Sequence, residues 1–598
     1  MYFREFSKLA LAVGLLTLFA CSEDDPAEPQ PDPPSVTGVS ATEISPGDTL
    51  VISGANFSTP ASGNQVRFTN PLGVATPFAG SASELEVVVD QDATSGPITV
   101  SSGGGSATGP DMTVERGIGD FFVFGGLGTG NVLSLPNPTA TTRYLVIPHG
   151  TNPSAPFAND YGYEIRSDNT VASATPQQAE RGPTRRAAAG KVGIRESFDA
   201  RRWEEAYDLV ERVGVPSRSA LPSEAPAASE APPYRPFYVL NTPSGLVSDP
   251  ANYDLISADL RYTGTKCLVY ADVDTLANPA NNFDQIHFQQ LGQTFDNFIE
   301  ATNVAHFGDY SDIDGNTKVI ILITPVVNRM TPGGSGGFIA GFFLSIDLYS
   351  PPQVPAGTTN QAEIFYLLAA DPAAFWGNPF PIAFTAAENI STTAHEHEHM
   401  ISFSERIFNQ GGTRQETWLE EGMAHMAEDL NGFHDANMGR TNLYLQDPAG
   451  VSLEDASANL EQRGGIYLFL RLLVDRYGAA NPDMLKDIVQ SRCSGRSCIQ
   501  NVTGRNFYDL ASEFFAALYL SGQGITADPR FNFTSIDLAD YGTVSTATGL
   551  VGVESVGNVR RSSADLYLYN GALGFDTRFT FVESIPGVSL RHAIVRVQ

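Results

Sequence analysis

Positive charge is scarce in this chain. Lysine and arginine number 36 among 598 residues, against 67 aspartates and glutamates, for a net charge of −31 and a pI near 4.5. A surface that acidic repels nucleic-acid phosphates, which excludes nucleic acid as a partner, and it keeps a secreted protein soluble. Cysteine is scarcer still, at four. Cys493 and Cys498 flank SGRS and have no second pair with which to build a zinc-binding cluster, so a small disulfide in an oxidising compartment is the better reading. Cys267, in KCLVYADV, reads as a buried free thiol. The glycine-rich TPGGSGGFIAGFFLS lacks Gly-Lys-Ser/Thr, so a phosphate loop is unsupported and a turn leading into a cleft-lining strand fits better.

What is present divides the chain into several units. A length of 598 residues is too great for one core, and 42% hydrophobic against 17% charged residues lets most of it fold. Residues 1–20 read as a signal peptide: Arg4 and Lys8 precede the apolar run Leu9 to Ala20, which is too short to span a bilayer. Leu18 and Ala20 before Cys21 resemble a bacterial lipobox, with Phe19 as a departure. That resemblance implies a lipidated Cys21, membrane attachment through it, and a place in the cell envelope at the outer membrane or cell surface, with release outside the cell as a variant. An ordinary cleaved signal is the alternative. Residues 21–34 form an acidic, proline-rich tether.

Residues 35–116 are short β runs broken by Gly, Ser and Pro, as expected of a small antiparallel sandwich. The pattern SPGDTLVISGANF, NQVRF, SGPITV resembles an immunoglobulin-like module of the IPT/TIG type, which implies a spacer or adhesive role. Residues 117–170 continue in β style, and 171–236 read as linker around one amphipathic helix. Ser197 is its expected cap, Phe198, Trp203, Tyr207, Val210 and Val213 its apolar face, and Gly214 its end. A docked or loose surface helix is the plain expectation; a cleavable pro-segment, with Arg185–Arg186 as a reachable site, is the other. Residues 237–547 are mixed α and β, and 548–598 return to β as a small C-terminal domain. Within the mixed region, KCLVYADV and KVIILITPVV read as buried strands, and FDQIHFQQLGQTFDNFIEA as a helix with Phe283, Ile286, Leu291, Phe295 and Phe298 inward. In SDIDGNTK, Asp312, Asp314 and Asn316 have the oxygen spacing of a calcium loop without the distal glutamate, and a plain polar turn is the simpler reading.

Thr392 to Arg406, TTAHEHEHMISFSER, carries the chemistry. It alternates like a strand, but its surroundings hold no Gly or Pro for more than six turns, which argues for a helix. At 100° per residue, His395 and His399 fall together, where two imidazoles can reach one ion. His397 shares the opposite stripe with Ile390, Ala394 and Ile401, and is expected as a buried, hydrogen-bonded core residue. Glu396 and Glu398 lie symmetrically about the ligand direction, and geometry leaves them tied. The H-E-x-x-H motif, whose base directly follows the first histidine, selects Glu396. Downstream, TRQETWLEEGMAHMAEDL places Glu421 between WL and G, 22 positions after His399.

That signature resembles the WLNEG of the aminopeptidase N family, with Glu420 in place of Asn. Together with RYTGTKCLVYADV, GGFIAGFF and RGGIYLFLRLLVDRYG, residues 237 to about 545 look like the hyicolysin-type family of bacterial zinc metallopeptidases. The resemblance implies a gluzincin: a thermolysin-like α+β catalytic domain, one zinc held by His395, His399 and Glu421, and Glu396 as general base. There are departures. His425 stands where an orienting acid is usual, with Glu428 one turn on as substitute. EQRGG has no transition-state tyrosine, which leaves Tyr467, Tyr444, His425 or His434 as candidate oxyanion donors. The amine-gripping GAMEN is absent, which argues for an endopeptidase acting on proteins or peptides. The rival reading is a surface adhesin or glycan-binding lipoprotein with a structural metal closed by His425. Sequence leaves the oligomeric state open.

Overall fold

The computed structural model describes residues 31–598, apart from 126–130, 152–159, 170–179, 182–192, 217–230, 278–281, 336, 413, 456, 458, 573–574 and 584–589. The signal segment, Cys21 and Arg185–Arg186 lie outside the described residues.

Alternation builds the N-terminal unit. Thr49–Ala55 and Gln65–Phe68 turn Leu50, Ile52, Val66 and Phe68 inward and their polar neighbours outward. Two sheets result, one around Thr49–Ala55 and Glu84–Val88, the other around Gly96–Ser102 and Gly105–Val114. They share one core that includes Leu85, Val87, Ile98 and Val100.

The next unit differs from the linear reading. Residues 117–170 and 548–598 are not two separate β segments; they interleave. Arg143–Gly150 runs between Leu590–Arg596 and Tyr567–Asn570, and Tyr161–Asn169 between Thr577–Glu583 and Val553–Val559. In each sheet the two strands of the first segment are separated by a strand of the second, so the first segment pairs no two of its own strands. Strand pairing between the two segments gives them one core, with Tyr144, Val146, Tyr163 and Ile165 against Phe579, Phe581 and Ile594.

Between these strands in sequence lies the mixed α/β region. Its sheet has six strands in the order Tyr234–Leu240, Tyr253–Thr263, Cys267–Asp272, Val319–Ile323, Ile364–Leu367 and, at the edge, Gly341–Phe343. The parallel central strands are apolar and buried throughout, as sheets covered on both faces require. The helix after Asp284 runs Gln285–Thr294 and passes into a π-turn, Phe295–Ile299. Its buried set is Phe288, Leu291, Phe295 and Ile299, with Phe283 just ahead of it. Ile286 and Phe298, expected inward, are exposed, because Ile286 sits in the first turn and the wider π-turn rotates Phe298 outward.

Four further helices matter below: α1 (Ile194–Val213), α2 (Ile382–Ser404), α3 (Thr417–Leu430) and α4 (Leu460–Tyr477). Ser197 is not the cap of α1. The helix starts one turn earlier, after Gly193, and the Ser197 hydroxyl donates back to the Gly193 carbonyl at 2.9 Å. Gly422 lets α3 approach α4: a Cβ there would lie 2.7 Å from Ile466 Cγ1. Cys493 and Cys498 are disulfide-bonded, and Cys267 is a buried free thiol. Among the described residues no helix is long and apolar enough to cross a membrane.

Candidate metal centre

α2 forms as a 23-residue helix, so His395 and His399 share a face, with ring centroids 4.8 Å apart. α3 brings Glu421 across from them. His395 Nε2 lies 3.6 Å from Glu421 Oε2, and His399 Nε2 lies 3.8 Å from Glu421 Oε1. These separations approach the edge of a tetrahedron with bonds of about 2.0–2.1 Å, roughly 3.3 Å. The other ring nitrogens are held from behind. His395 Nδ1 bonds Glu428 Oε1 at 2.9 Å, and His399 Nδ1 bonds Glu420 Oε1 at 3.2 Å. Ser402 Oγ donates to the second oxygen of Glu420 at 2.9 Å. An imidazole whose Nδ1–H is given to a carboxylate presents Nε2 as a lone-pair donor, the arrangement typical of metal-ligating histidine.

All of this is buried: His395, Glu396, His399 and Glu421 are 1%, 4%, 8% and 2% exposed. The charges are matched inside. Burial alone would raise the Glu421 carboxyl, but Arg463, 2.7 Å away, together with His395 and His399 outweighs it and holds the group well below the usual range. Glu428 is held down against burial by Arg440, at 2.8 Å, together with His425 and His395. Burial would lower His399, yet the carboxylates of Glu420, Glu421 and Glu396 carry it up to about 10. The site therefore attracts positive charge.

The two glutamates that sequence geometry left tied occupy different places. Glu396 lines the cavity beside His399 and Glu421, and its Oε2 accepts from the Phe343 N–H of the edge strand at 3.0 Å. Burial raises its carboxyl above the ordinary range. Glu398 is fully buried behind the ligands, and neither of its oxygens accepts a hydrogen bond among the described residues. Burial, reinforced by Glu420, keeps it protonated far above that range.

The remaining candidates disperse. His425 and His395 bond the same Glu428 carboxylate, His425 at 3.1 Å, so His425 is on the Nδ1 side of His395, away from Glu421. Tyr467 donates to Asp429 at 2.9 Å, His434 bonds the same carboxylate at 2.6 Å, and Tyr444 stacks on Phe514. None of these four lines the cavity. Asp312 and Asp314 group with buried Glu363, oxygens within 4.8 Å, while the Asn316 amide oxygen accepts from Lys318 N–H instead of joining them. Two of those three carboxylates are exposed.

His397 is buried as expected, but its expected hydrogen bond is absent. Neither ring nitrogen has a partner among the described residues. The ring sits among Tyr310, Phe295 and Phe365, at centroid distances of 4.9, 5.1 and 6.0 Å.

Sequence reasoning missed the roles of Glu420, Arg463 and above all α1. That helix is not loose on the surface. Trp203 lies over His399 with centroids 5.7 Å apart, Phe198 packs on Phe342, and Asp199 pairs with Arg463 at 2.8 Å. α1 and the edge strand leave a cavity of about 30 Å³ next to Glu396, His399 and Glu421. The amphipathic pattern announced the helix and its apolar face, but not what that face covers.

No protein-family model matches the chain. It is 25% identical over 259 residues to the neutral metalloprotease ShpI of Staphylococcus hyicus, a match covering 41% of this chain and 53% of that protein. The chain thus spans about half the length of the curated relative it matches. Among solved structures, a protein of unknown function from Bacteroides thetaiotaomicron is 17% identical over 19% of this chain and 30% of its own, with a TM-score of 0.14. SGBP-B, from a complex xyloglucan utilization locus in Bacteroides uniformis, is 12% identical over 23% of this chain and 51% of its own, with a TM-score of 0.12. Likenesses of that extent carry no argument about fold or activity.

Proposed function

We propose that the chain is a zinc-dependent endopeptidase with His395, His399 and Glu421 as metal ligands and Glu396 as general base. The observation that carries this is the convergence of two imidazole Nε2 atoms on one carboxylate, each ring fixed through Nδ1 by its own glutamate. Two nitrogens and a carboxylate are a catalytic zinc donor set, three protein ligands with a fourth position left for water. The similarity to a neutral metalloprotease supports the same reading.

A zinc ion held there supplies Lewis acidity, toward water and toward the scissile carbonyl. The rest is done by the chain. The Phe343 N–H fixes Oε2 of Glu396, which leaves Oε1 to take the proton of the attacking water and return it to the leaving amine. Burial raises the proton affinity of that carboxyl, which suits a base that must also act as an acid. Gly341–Phe343 is the edge of its sheet, where an extended substrate would add as a strand. The absence of an amine-gripping motif supports internal cleavage. The rival structural-metal reading needs a fourth side chain closing the site, and His425 lies on the Nδ1 side of His395, away from Glu421.

The test is zinc content together with turnover of a denatured protein, on intact chain and on chain cut either side of α1. About one zinc per chain is expected, with cleavage that a chelator stops and Glu396→Gln abolishes without loss of zinc. Full cleavage by metal-stripped protein would overturn the reading.

A further inference from the structure

The active cleft of a peptidase has to admit an extended peptide, and here it admits almost nothing. A cavity of about 30 Å³ holds only one or two waters. What fills the rest is the protein's own chain. α1 lays one face into the groove between α2 and the edge strand. Phe198, Trp203, Ala206, Tyr207 and Leu209 are all at most 6% exposed. Three kinds of contact hold it. Aromatic rings pack on the site itself, Trp203 on His399, Phe198 on Phe342 and Tyr207 on Phe403. Ion pairs tie Asp199 to Arg463, the same arginine that holds Glu421, and Arg195 to Glu388 of α2. Polar contacts fix its middle and its C-terminal end: Trp203 Nε1 donates to the Gln415 carbonyl at 3.4 Å, and Tyr349 Oη to the Gly214 carbonyl at 3.2 Å.

We infer that α1 is an intramolecular inhibitor of this site, and that the cleft is a binding surface for an amphipathic helix carrying aromatic and acidic groups. The inference rests on the peptidase reading above. A helix is a suitable occupant because it is a poor substrate. Its peptide groups are already hydrogen-bonded within the helix, so it cannot add as a strand to Gly341–Phe343 or present an extended carbonyl to Glu396. α1 is joined to the rest of the chain through 182–192, which contains TRRAAAGK, and 217–230, rich in Ala, Pro and Ser, so both of its connections are sequences a protease can cut. Cutting both leaves α1 held only by the contacts above.

The experiment places a sequence-specific protease site in 182–192 and another in 217–230 of the full-length, zinc-loaded protein. Two rates are read before and after cutting: removal of zinc by 1,10-phenanthroline, and cleavage of a denatured protein. If the open cleft is a minor state of about 1–10% in the intact chain, both rates rise about 10- to 100-fold on release of α1. A synthetic peptide of residues 193–214, added in excess, restores the slow rates. Trp203→Ala in uncut protein, with its melting checked against the parent, raises both rates part of the way without removing the helix. Equal rates in intact and cut protein, with no effect of the peptide, overturn the inhibitor and leave the peptidase reading standing. Faster zinc removal with no cleavage in any form overturns the peptidase reading and leaves α1 as the cover of the metal site.

Discussion

The two faces of α2 hold the same residue and treat it in opposite ways. On one face, His395 and His399 have each Nδ1 bonded to a glutamate and each Nε2 directed at Glu421. On the other, His397 sits in an aromatic cage with neither nitrogen bonded among the described residues, and burial with a smaller push from Lys266 lowers its pKa to about 3. Glu396 and Glu398 repeat the contrast, one on the cavity wall and one sealed behind the ligands. What decides the role of a residue here is its phase on the helix and what stands opposite it. α3 brings carboxylates to the first face, and the sheet and its helix bring rings to the second.

The largest effect should come from the ligand face. His395→Ala and His399→Ala each remove one of three protein ligands, so zinc measured by metal analysis should be lost from both, while His397→Ala should keep about one per chain. Equal loss from all three would erase the contrast. Next in size is turnover. Glu396→Gln should cost about a hundred- to ten-thousandfold in cleavage rate at unchanged zinc content, measured on chain freed of α1, and Glu398→Gln should be mild. If Glu398→Gln is the dead variant, the base has been assigned to the wrong wall. Smaller again is the support behind the ligands. Glu428→Gln and Glu420→Gln should each weaken zinc binding about 10- to 100-fold, read by competition with a chelator, since each loosens one imidazole.

How much of this was legible beforehand follows from what is local. Helical phase put His395 and His399 together, and short-range patterning marked the buried strands Cys267–Asp272 and Val319–Ile323 and the polar loop that Cys493 and Cys498 close. Partners far apart in sequence were not legible. Nothing near Tyr163 says that it pairs with Glu583, and nothing in α1 says that Trp203 rests on His399. Glu428 could be proposed as a substitute for the missing acid only because it falls on the same face of α3 as Glu421, and it does reach His395. His397 was placed in the core by its stripe, but a stripe gives depth and not hydrogen bonds.

That last point makes the smallest prediction the sharpest. A buried polar atom without a partner costs about 1–3 kcal/mol, and replacing it with an apolar group of like size removes the cost. His397→Leu should therefore be as stable as the parent or more stable by about 1 kcal/mol, because leucine fills the space between Phe295, Tyr310 and Phe365 without unbonded nitrogens. His397→Ala should instead lose about 2–4 kcal/mol, by leaving a cavity among packed rings that do not fully close on it. Both should retain zinc. Urea unfolding of the two variants beside the parent separates the causes. A loss from His397→Leu as large as that from His397→Ala would mean that the imidazole nitrogens do bond something, and the two faces of α2 would be less different than their geometry makes them.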